Sequence, residues 1–196
     1  GPTTAGMLVG LDNGLGKTVT LQYASSAQLS VAAESTPNPW TRKLPVSVPV
    51  PVRVEVDPGA GGPVRAVEYT VRDGFWDGQE RRFGGFLVGG MTTPGDPPAT
   101  TLYQETRYHP GLGAERALRG APLEVRTQDG TVKSCPVETS VYEARPVEGL
   151  PDTALLRRAA LLEQRTLHHE GVSSPVGTKT LYAYAARVRP IREERF

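Results

Sequence analysis

One glycine-rich stretch has the residue types that bind nucleotide phosphates in other proteins. Residues 10–18 read Gly-Leu-Asp-Asn-Gly-Leu-Gly-Lys-Thr, whereas a P-loop needs Gly, four residues, then Gly-Lys-Ser/Thr at the start of a helix. The residue five positions before Gly16 is Leu11, so the spacing misses by one. The alternating residues 18–23 that follow are typical of a strand. The stretch therefore predicts a tight hairpin turn and no phosphate site.

Nucleophilic and metal-binding residue types are few and scattered. His168 and His169 are adjacent, so a strand would point them to opposite faces, and His109 is far away in sequence. Cys135 is the single cysteine, which excludes an intrachain disulfide and a thiolate zinc cluster. We predict that the chain is not an enzyme, with no catalytic residue, no cofactor and no metal. The rival is a hydrolase with scattered catalytic residues, which a pocket placing His109 or His168 beside a carboxylate would support.

Three carboxylates lie close together in a segment rich in glycine and aromatic residues. Asp73, Asp77 and Glu80 offer the oxygen ligands that calcium prefers, but they lack the regular spacing of an EF-hand loop. Nothing places Asp73 and Asp77 across a cleft, as glycoside hydrolysis would require. Capping and turn formation are the better prediction for all three.

The charges are nearly balanced, with Lys+Arg 22 against Asp+Glu 21. This balance gives no general attraction to nucleic acid or to an anionic membrane, and no apolar stretch reaches the roughly 18 residues of a membrane helix. Arginines cluster at 81–82, 157–158 and 187–195, each near acidic residues. We interpret these clusters as solvated, ion-paired faces, and predict neither nucleic-acid binding nor direct membrane binding.

The elements that must position these residues are strands. Alternation with period 2 dominates a chain of 196 residues that contains Gly 22 and Pro 18, and this pattern predicts an all-β fold. We expect antiparallel hairpins and meanders in a curved or sandwich-like sheet, with at most one or two short helices. The predicted strands cover residues 7–11, 18–23, 46–56, 64–71, 79–83, 85–91, 101–108, 123–126, 132–145 and 179–188.

Three segments are less clear. Residues 25–34 fit either a loop or two helical turns. In residues 46–56, alternate valines share one face, while Pro49 and Pro51 indicate an edge strand or a strand that begins irregularly. Residues 152–167 have helical spacing of apolar residues and a possible N-cap, so local propensity alone favours a helix there.

The most specific pattern is the stretch YTVRDGFWDGQERRFGGF at residues 69–86. It resembles the middle region of the B component of bacterial ABC-type (Tc) insecticidal toxins and of the related SpvB-like and Rhs-type proteins, where a D-G-x-E-R-x-F-x-G-F segment occurs. Gly84 departs from the pattern, because a bulkier or charged residue is common there. The resemblance extends over roughly residues 6–187. Its motif residues, to which it assigns a structural role, are Asp73, Gly74, Trp76, Asp77, Gly78, Glu80, Arg81, Phe83, Gly85 and Phe86.

The resemblance implies a structural function. The B and C components of such toxins are similar to a β-sheet cocoon around a toxic C-terminal cargo, so we expect a shell segment within a secreted assembly. The implied partners are the remaining shell, a C-type (Rhs-repeat) component and, more distantly, an A-type translocation component. The resemblance also favours a strand for residues 152–167. No signal peptide is visible, and we expect a single β-rich unit, residues 1–196, excised from a larger protein, with halves at 6–93 and 100–188.

A carbohydrate-binding or adhesive extracellular β-sandwich is the alternative function. Phe75, Trp76, Tyr103 and Tyr108 would form its sugar-stacking platform. It requires that these aromatic side chains lie exposed and coplanar, whereas burial of Phe75 and Trp76 at the base of a hairpin would exclude it.

Overall fold

A computed structural model describes residues 6–96, 98–130, 134–153, 155–168, 176–184 and 190–195. They form one antiparallel sheet of 11 strands, and the order of the strands in the sheet equals their order in the sequence. No helix in this part of the chain is long and apolar enough to cross a membrane. The strands are β1 Gly10–Asp12, β2 Thr18–Ser25, β3 Pro49–Asp57, β4 Arg65–Asp77, β5 Arg82–Thr93, β6 Leu102–Tyr108, β7 Pro122–Asp129, β8 Ser134–Pro146, β9 Arg157–His168, β10 Val176–Tyr184 and β11 Pro190–Arg195.

The predicted all-β class is confirmed, and the glycine-rich stretch is a hairpin turn. β1 pairs with β2, and the Asn13 side chain accepts hydrogen bonds from the backbone N–H groups of Leu15 and Lys17 at 2.8 and 3.0 Å. Gly14 and Gly16 have φ of 71° and 93°, a region that favours glycine. A strand follows where a phosphate site would need a helix.

The ambiguous residues 25–34 contain a helix, α1, which spans Ser26–Ala33. Ser25 and Gln28 form a capping box at its start: the Ser25 hydroxyl accepts from the Gln28 N–H at 3.1 Å, and the Gln28 side chain accepts from the Ser25 N–H at 3.0 Å. Two shorter 3₁₀ segments occur, Pro98–Thr100 and Gly113–Leu118.

Pro49 and Pro51 predicted either an edge strand or a strand that begins irregularly, and β3 is of the second kind. It pairs with β2 from Pro49 onward, but with β4 only from Arg53. Pro49 and Pro51 therefore lie where one side of the strand has no ladder partner. The register shifts between Pro51 and Arg53, which makes Val52 the extra residue of a bulge. Val48, Val50 and Val54 still line one groove.

The predicted strand at residues 79–83 is also wrong in its first part. Gln79 and Glu80 lie in the turn between β4 and β5, because the Asp77 side chain accepts hydrogen bonds from both of their backbone N–H groups. Arg81 completes the turn with φ 52°. β4 continues through Asp73, beyond the predicted end at residue 71.

Residues 152–167 contain a strand and no helix. β9 pairs with β8 over 10 residue pairs and with β10 over six. Tertiary pairing on both sides thus overrides the local helical propensity. Two predicted strands extend beyond the described residues at 132–133 and 185–188. β11 was not predicted, because its sequence looked like a charged, solvated face.

The register gives the sheet two different faces. One face, which we call the ion-paired face, has charged side chains that interact across and along the strands. Arg53 contacts Glu68 at 2.8 Å, and Arg72 contacts Glu105 at 2.7 Å. Further contacts on the same face join Arg107 to Glu105 and Glu124, Arg126 to Glu124, and Glu163 to Arg165 and Lys179.

The opposite face, which we call the neutral face, has apolar and uncharged side chains over the middle of β2–β7. The register aligns Tyr69 with Met91 and Met91 with Gln104. A groove of about 550 Å³ lies along this face, with Leu21, Val54 and Tyr108 among its lining residues. None of these side chains is fully buried, so no second layer covers this part of the sheet within the described residues.

The apolar residues that are buried are few, and most lie at one end of the sheet. They are Trp40, Val50, Phe75, Leu118 and Ala160. At this end lie the long connection that contains α1, the turn between β4 and β5, and the connection between β6 and β7. The core is therefore a cap over one end of the strands and not a layer beneath the sheet.

Candidate functional site: the hairpin end at residues 73–86

The motif residues surround the turn at the end of the β4–β5 hairpin, and Asp73 is their first anchor. It has φ 56°, in the left-handed region. Its Oδ1 accepts hydrogen bonds from the Thr41 N–H at 2.6 Å, the Thr41 hydroxyl at 2.9 Å and the Arg42 N–H at 3.1 Å. Asp73 thereby joins β4 to the connection after α1, which offsets the cost of its unusual backbone conformation.

Two glycines allow side chains to lie directly on the hairpin. A Cβ at Gly74 would overlap the Leu44 side chain, and a Cβ at Gly84 would lie 2.5 Å from Cδ1 of Phe75. Gly84 is the extra residue of a β-bulge, because Phe75 pairs with Gly85 and Trp76 with Phe83. Gly84, at which the family pattern commonly has a larger residue, is thus the residue against which Phe75 packs.

Aromatic rings close the same end. Phe86 contacts Trp40 edge-on with ring centroids 5.8 Å apart, and it contacts Phe83 edge-on at 5.1 Å. Such edge contacts stabilise a pair by about 0.5–1.5 kcal/mol beyond the area that it buries. Trp40 and Phe75 are each 8% exposed, so the hairpin end has a small, well-packed core.

A polar cluster joins the hairpin turn to the connection between β6 and β7. We call this connection, residues 109–121, the strap. Arg119 of the strap contacts Asp77 Oδ2 at 2.5 Å and Glu80 Oε2 at 3.1 Å. It also donates a hydrogen bond to the Gly111 carbonyl at 3.2 Å. Glu80 contacts Arg116 at 2.5 Å as well. The side chains of Arg119, Asp77 and Glu80 are 13%, 10% and 14% exposed.

These contacts favour the charged form of each group. A hydrogen bond from the Glu80 N–H, aided by Arg119, lowers the pKa of Asp77 although partial burial opposes the shift. Burial also opposes ionisation of Glu80, but hydrogen bonds from Arg119 and Arg82 outweigh it and lower the pKa of Glu80. Burial likewise opposes the charge on Arg119, yet its hydrogen bonds to Glu80 and Asp77 raise its pKa. The cluster is a set of ion pairs that acid would weaken.

The strap itself is held by backbone contacts. The His109 N–H donates to the Ala121 carbonyl at 2.9 Å, and the Gly120 N–H donates to the His109 carbonyl at 3.0 Å. His109 Nδ1 accepts from the Gly111 N–H at 2.9 Å, and its Nε2 lies 3.6 Å from Glu115. The imidazole thus organises the strap.

The motif carboxylates do not form a metal centre, whereas His109 does lie beside a carboxylate, that of Glu115 at 3.6 Å. Asp73 faces Thr41, whereas Asp77 and Glu80 face Arg119, so the three carboxylates do not converge. Within the described ranges no three potential metal ligands lie together. His168 lies in β9, and His169 falls outside the described residues. The backbone of Cys135 lies in β8. Sequence reasoning missed Arg119, because it lies 42 residues from Asp77.

The four aromatic residues of the carbohydrate alternative do not form one platform. Phe75 is buried. Tyr108 lies over Gly89 on the neutral face, whereas the register places Tyr103 opposite Thr92 on the other face. A planar sugar-stacking surface would need all of these rings on one side of the sheet.

Fold and site together define a class: a single-layer antiparallel meander with a capped hairpin end. A family model described as "Insecticide toxin TcdB middle/N-terminal region" matches residues 3–111. The chain belongs to this family, and the predicted resemblance is confirmed. No curated protein matches the chain.

Solved structures of toxin proteins share the fold. A crystal structure of TcdB2–TccC3 has a TM-score of 0.73 at 19% identity over 87% of this chain. The Tc holotoxin pore of Photorhabdus luminescens has a TM-score of 0.76 at 18% identity over 90% of this chain. In both comparisons the chain spans 11% of the matched protein.

Proposed function

We propose that the chain is a wall segment of a toxin-complex shell, a β-sheet cocoon that encloses a toxic C-terminal cargo. Its family membership and its similarity in fold to TcdB2–TccC3 and to a Tc holotoxin pore support this function. The role is structural and not enzymatic. The cargo and its chemistry belong to other parts of the assembly.

The observation that carries the proposal is the single strand layer. A globular domain buries one face of its sheet against a second layer. Here the ion-paired face carries exposed charges, and Met91 on the neutral face is 37% exposed. A wall of a hollow shell has solvent or cargo on each side, so it needs no core beneath the sheet. The buried cap at one end then keeps the hairpins in position.

The proposal extends to the rest of the assembly. The partners are the remaining shell of the same protein, a C-type (Rhs-repeat) component and, more distantly, an A-type component, all in a secreted complex. Residues 6–93 and 100–188 are the two halves of one unit. The motif residues act structurally: Asp73 and Gly74 anchor the connection after α1, Asp77 to Arg81 shape the turn, and Phe83 and Phe86 fill the cap.

Cysteine labelling on the two faces tests the wall function. Met91 and Tyr103 lie on adjacent strands and opposite faces, and they are 37% and 47% exposed. Met91→Cys and Tyr103→Cys are each introduced into the full-length protein, in a background without Cys135 or other reactive cysteines. The protein is assembled with its C-type component and treated with a bulky polyethylene-glycol maleimide.

A closed shell predicts that one of the two cysteines reacts and the other is protected, and that both react after denaturation. Reaction at both cysteines in the assembled complex would show a module that is open on both faces. Protection of both would show a sheet packed inside a solid domain. Either of these results contradicts the wall function.

A further inference from the structure

Arg158 on β9 lacks the partner that other arginines of the sheet have. Its Nε and Nη1 atoms are buried and have no hydrogen-bond acceptor among the residues that the structure describes. Its neighbour Arg157 contacts Asp152 at 2.9 Å, and Arg165 on the same strand contacts Glu163. Buried donors without acceptors are rare in proteins, and leaving a charged donor unpaired is more costly than leaving a neutral one. The sequence-based expectation that acidic neighbours balance this arginine cluster is therefore wrong for Arg158.

The register places a second guanidinium beside it. Arg158 pairs directly with Arg145 of β8, so the two side chains leave the sheet on the same face, where like charges directly opposite each other destabilise a strand pair. Arg145 contacts Glu143 at 2.6 Å and lies over the Tyr184 ring at 5.9 Å. Arg158 has neither kind of contact among the described residues.

The carboxylates that the neighbouring arginines contact are already in use. Glu143 accepts from Arg145, and Asp152 accepts from Arg157 through two nitrogens at 2.9 and 3.2 Å. A water molecule would satisfy hydrogen bonds of Arg158 but would not compensate its charge, which lies opposite that of Arg145. An oxyanion does both, because carboxylate and phosphate oxygens match the donor geometry of guanidinium groups.

We propose that Arg158, together with Arg145, forms an oxyanion-binding site. Its ligand is a carboxylate or phosphate group, supplied either by a free small anion or by an acidic side chain from an adjoining segment of the longer protein. Arg158 as a whole is half-buried, and Nη2 is not among its buried nitrogens without an acceptor, so an anion would approach the guanidinium at Nη2. This inference is independent of the proposed wall function, since it depends only on the β8–β9 pair.

Thermal unfolding of the chain with and without inorganic phosphate tests the first source. Ionic strength is held constant with sodium chloride. Arg158→Met removes the charge and keeps an apolar side chain, and Arg165→Met on the same strand is the matched control. At about ten times its Kd, phosphate should raise the Tm of the unsubstituted chain and of Arg165→Met by about 3–5 °C. Arg158→Met should lose this rise.

The same two substitutions in the longer protein test the second source. A carboxylate from an adjoining segment predicts no phosphate response there, and a larger loss of Tm for Arg158→Met than for Arg165→Met. The proposal is overturned if Arg158→Met keeps the phosphate response. It is also overturned if phosphate has no effect on the chain and the two variants have equal Tm in the longer protein.

Discussion

The bulge at Gly84 permits a quantitative test of the hairpin end. Alanine at this position would put its Cβ 2.5 Å from Cδ1 and 3.0 Å from Cε1 of Phe75. Phe75 is only 8% exposed, so its ring cannot turn away freely. Overpacking of this kind costs about 1–3 kcal/mol, while the loss of glycine entropy in the unfolded chain returns about 0.4–1 kcal/mol. We expect Gly84→Ala to destabilise the chain by up to about 2.6 kcal/mol, and by about 1–3 kcal/mol more than a glycine-to-alanine change that causes no overlap.

Denaturant unfolding followed by tryptophan fluorescence measures this difference, with Gly78→Ala as the control. A Cβ at Gly78 has no neighbour within 4 Å, and its backbone is outside the left-handed region. Gly78→Ala should therefore be neutral or stabilising by up to about 1 kcal/mol. In the double variant Gly84→Ala/Phe75→Leu, the two costs should not add, because the smaller side chain relieves the overlap. If Gly84→Ala is as stable as Gly78→Ala, the packing of Phe75 on the bulge is refuted.

Three further substitutions test the anchors of this end. Arg119→Met should speed amide hydrogen exchange in the hairpin turn. The pKa values of Asp77 and Glu80 are lowered in the folded chain, so the stabilisation from these carboxylates is present above about pH 4 and is lost as pH falls through their folded-state pKa values. Arg119→Met should therefore lose less stability on acidification than the unsubstituted chain. Asp73→Ala should destabilise more than Asp73→Gly in thermal unfolding, because both lose the side-chain acceptor but only alanine keeps the strain of φ 56°; equal losses would contradict this. Ser25→Ala should cost about 1 kcal/mol by removing the N-cap of α1, measured by denaturant unfolding, and Ser25→Thr should restore most of it.

Much of the fold could be predicted from local pattern. Alternation and turn residues located most strands, and the Asp-Gly turn marked the hairpin end. What the sequence could not show was long-range pairing. Strand β4 was predicted to end at residue 71, because the residue that anchors Asp73, Thr41, is 32 residues away and gives no local signal. The register shifts that interrupt β3 and β5 also depend on the neighbouring strands and have no local signal.

The sequence predicted which residues lie at the candidate site but not which charged groups interact there. The turn and capping role foreseen for Asp77 agrees with its hydrogen bonds from the Gln79 and Glu80 N–H groups, whereas the Glu80 side chain forms ion pairs. The cation that both carboxylates share, Arg119, lies in a segment that looked like a plain connection. For the arginine clusters the sequence predicted ion pairs that the structure only partly shows. Arg157 and Arg158 are adjacent in sequence, yet only the first has a carboxylate, because neighbouring strand residues face opposite sides.

The strands lie in the sheet in the same order as in the sequence, and this affects how such a protein is synthesised and how it evolves. Each strand needs only the one synthesised just before it, so the sheet can grow outward as the polypeptide leaves the ribosome, with only the connection between neighbouring strands to close at each step. Adding or deleting one hairpin would change the width of the sheet by two strand spacings, about 10 Å, without changing the order or connectivity of the other strands. Gene segments that encode hairpin pairs can therefore be gained or lost as units, and the width of the sheet can be adjusted by simple duplication.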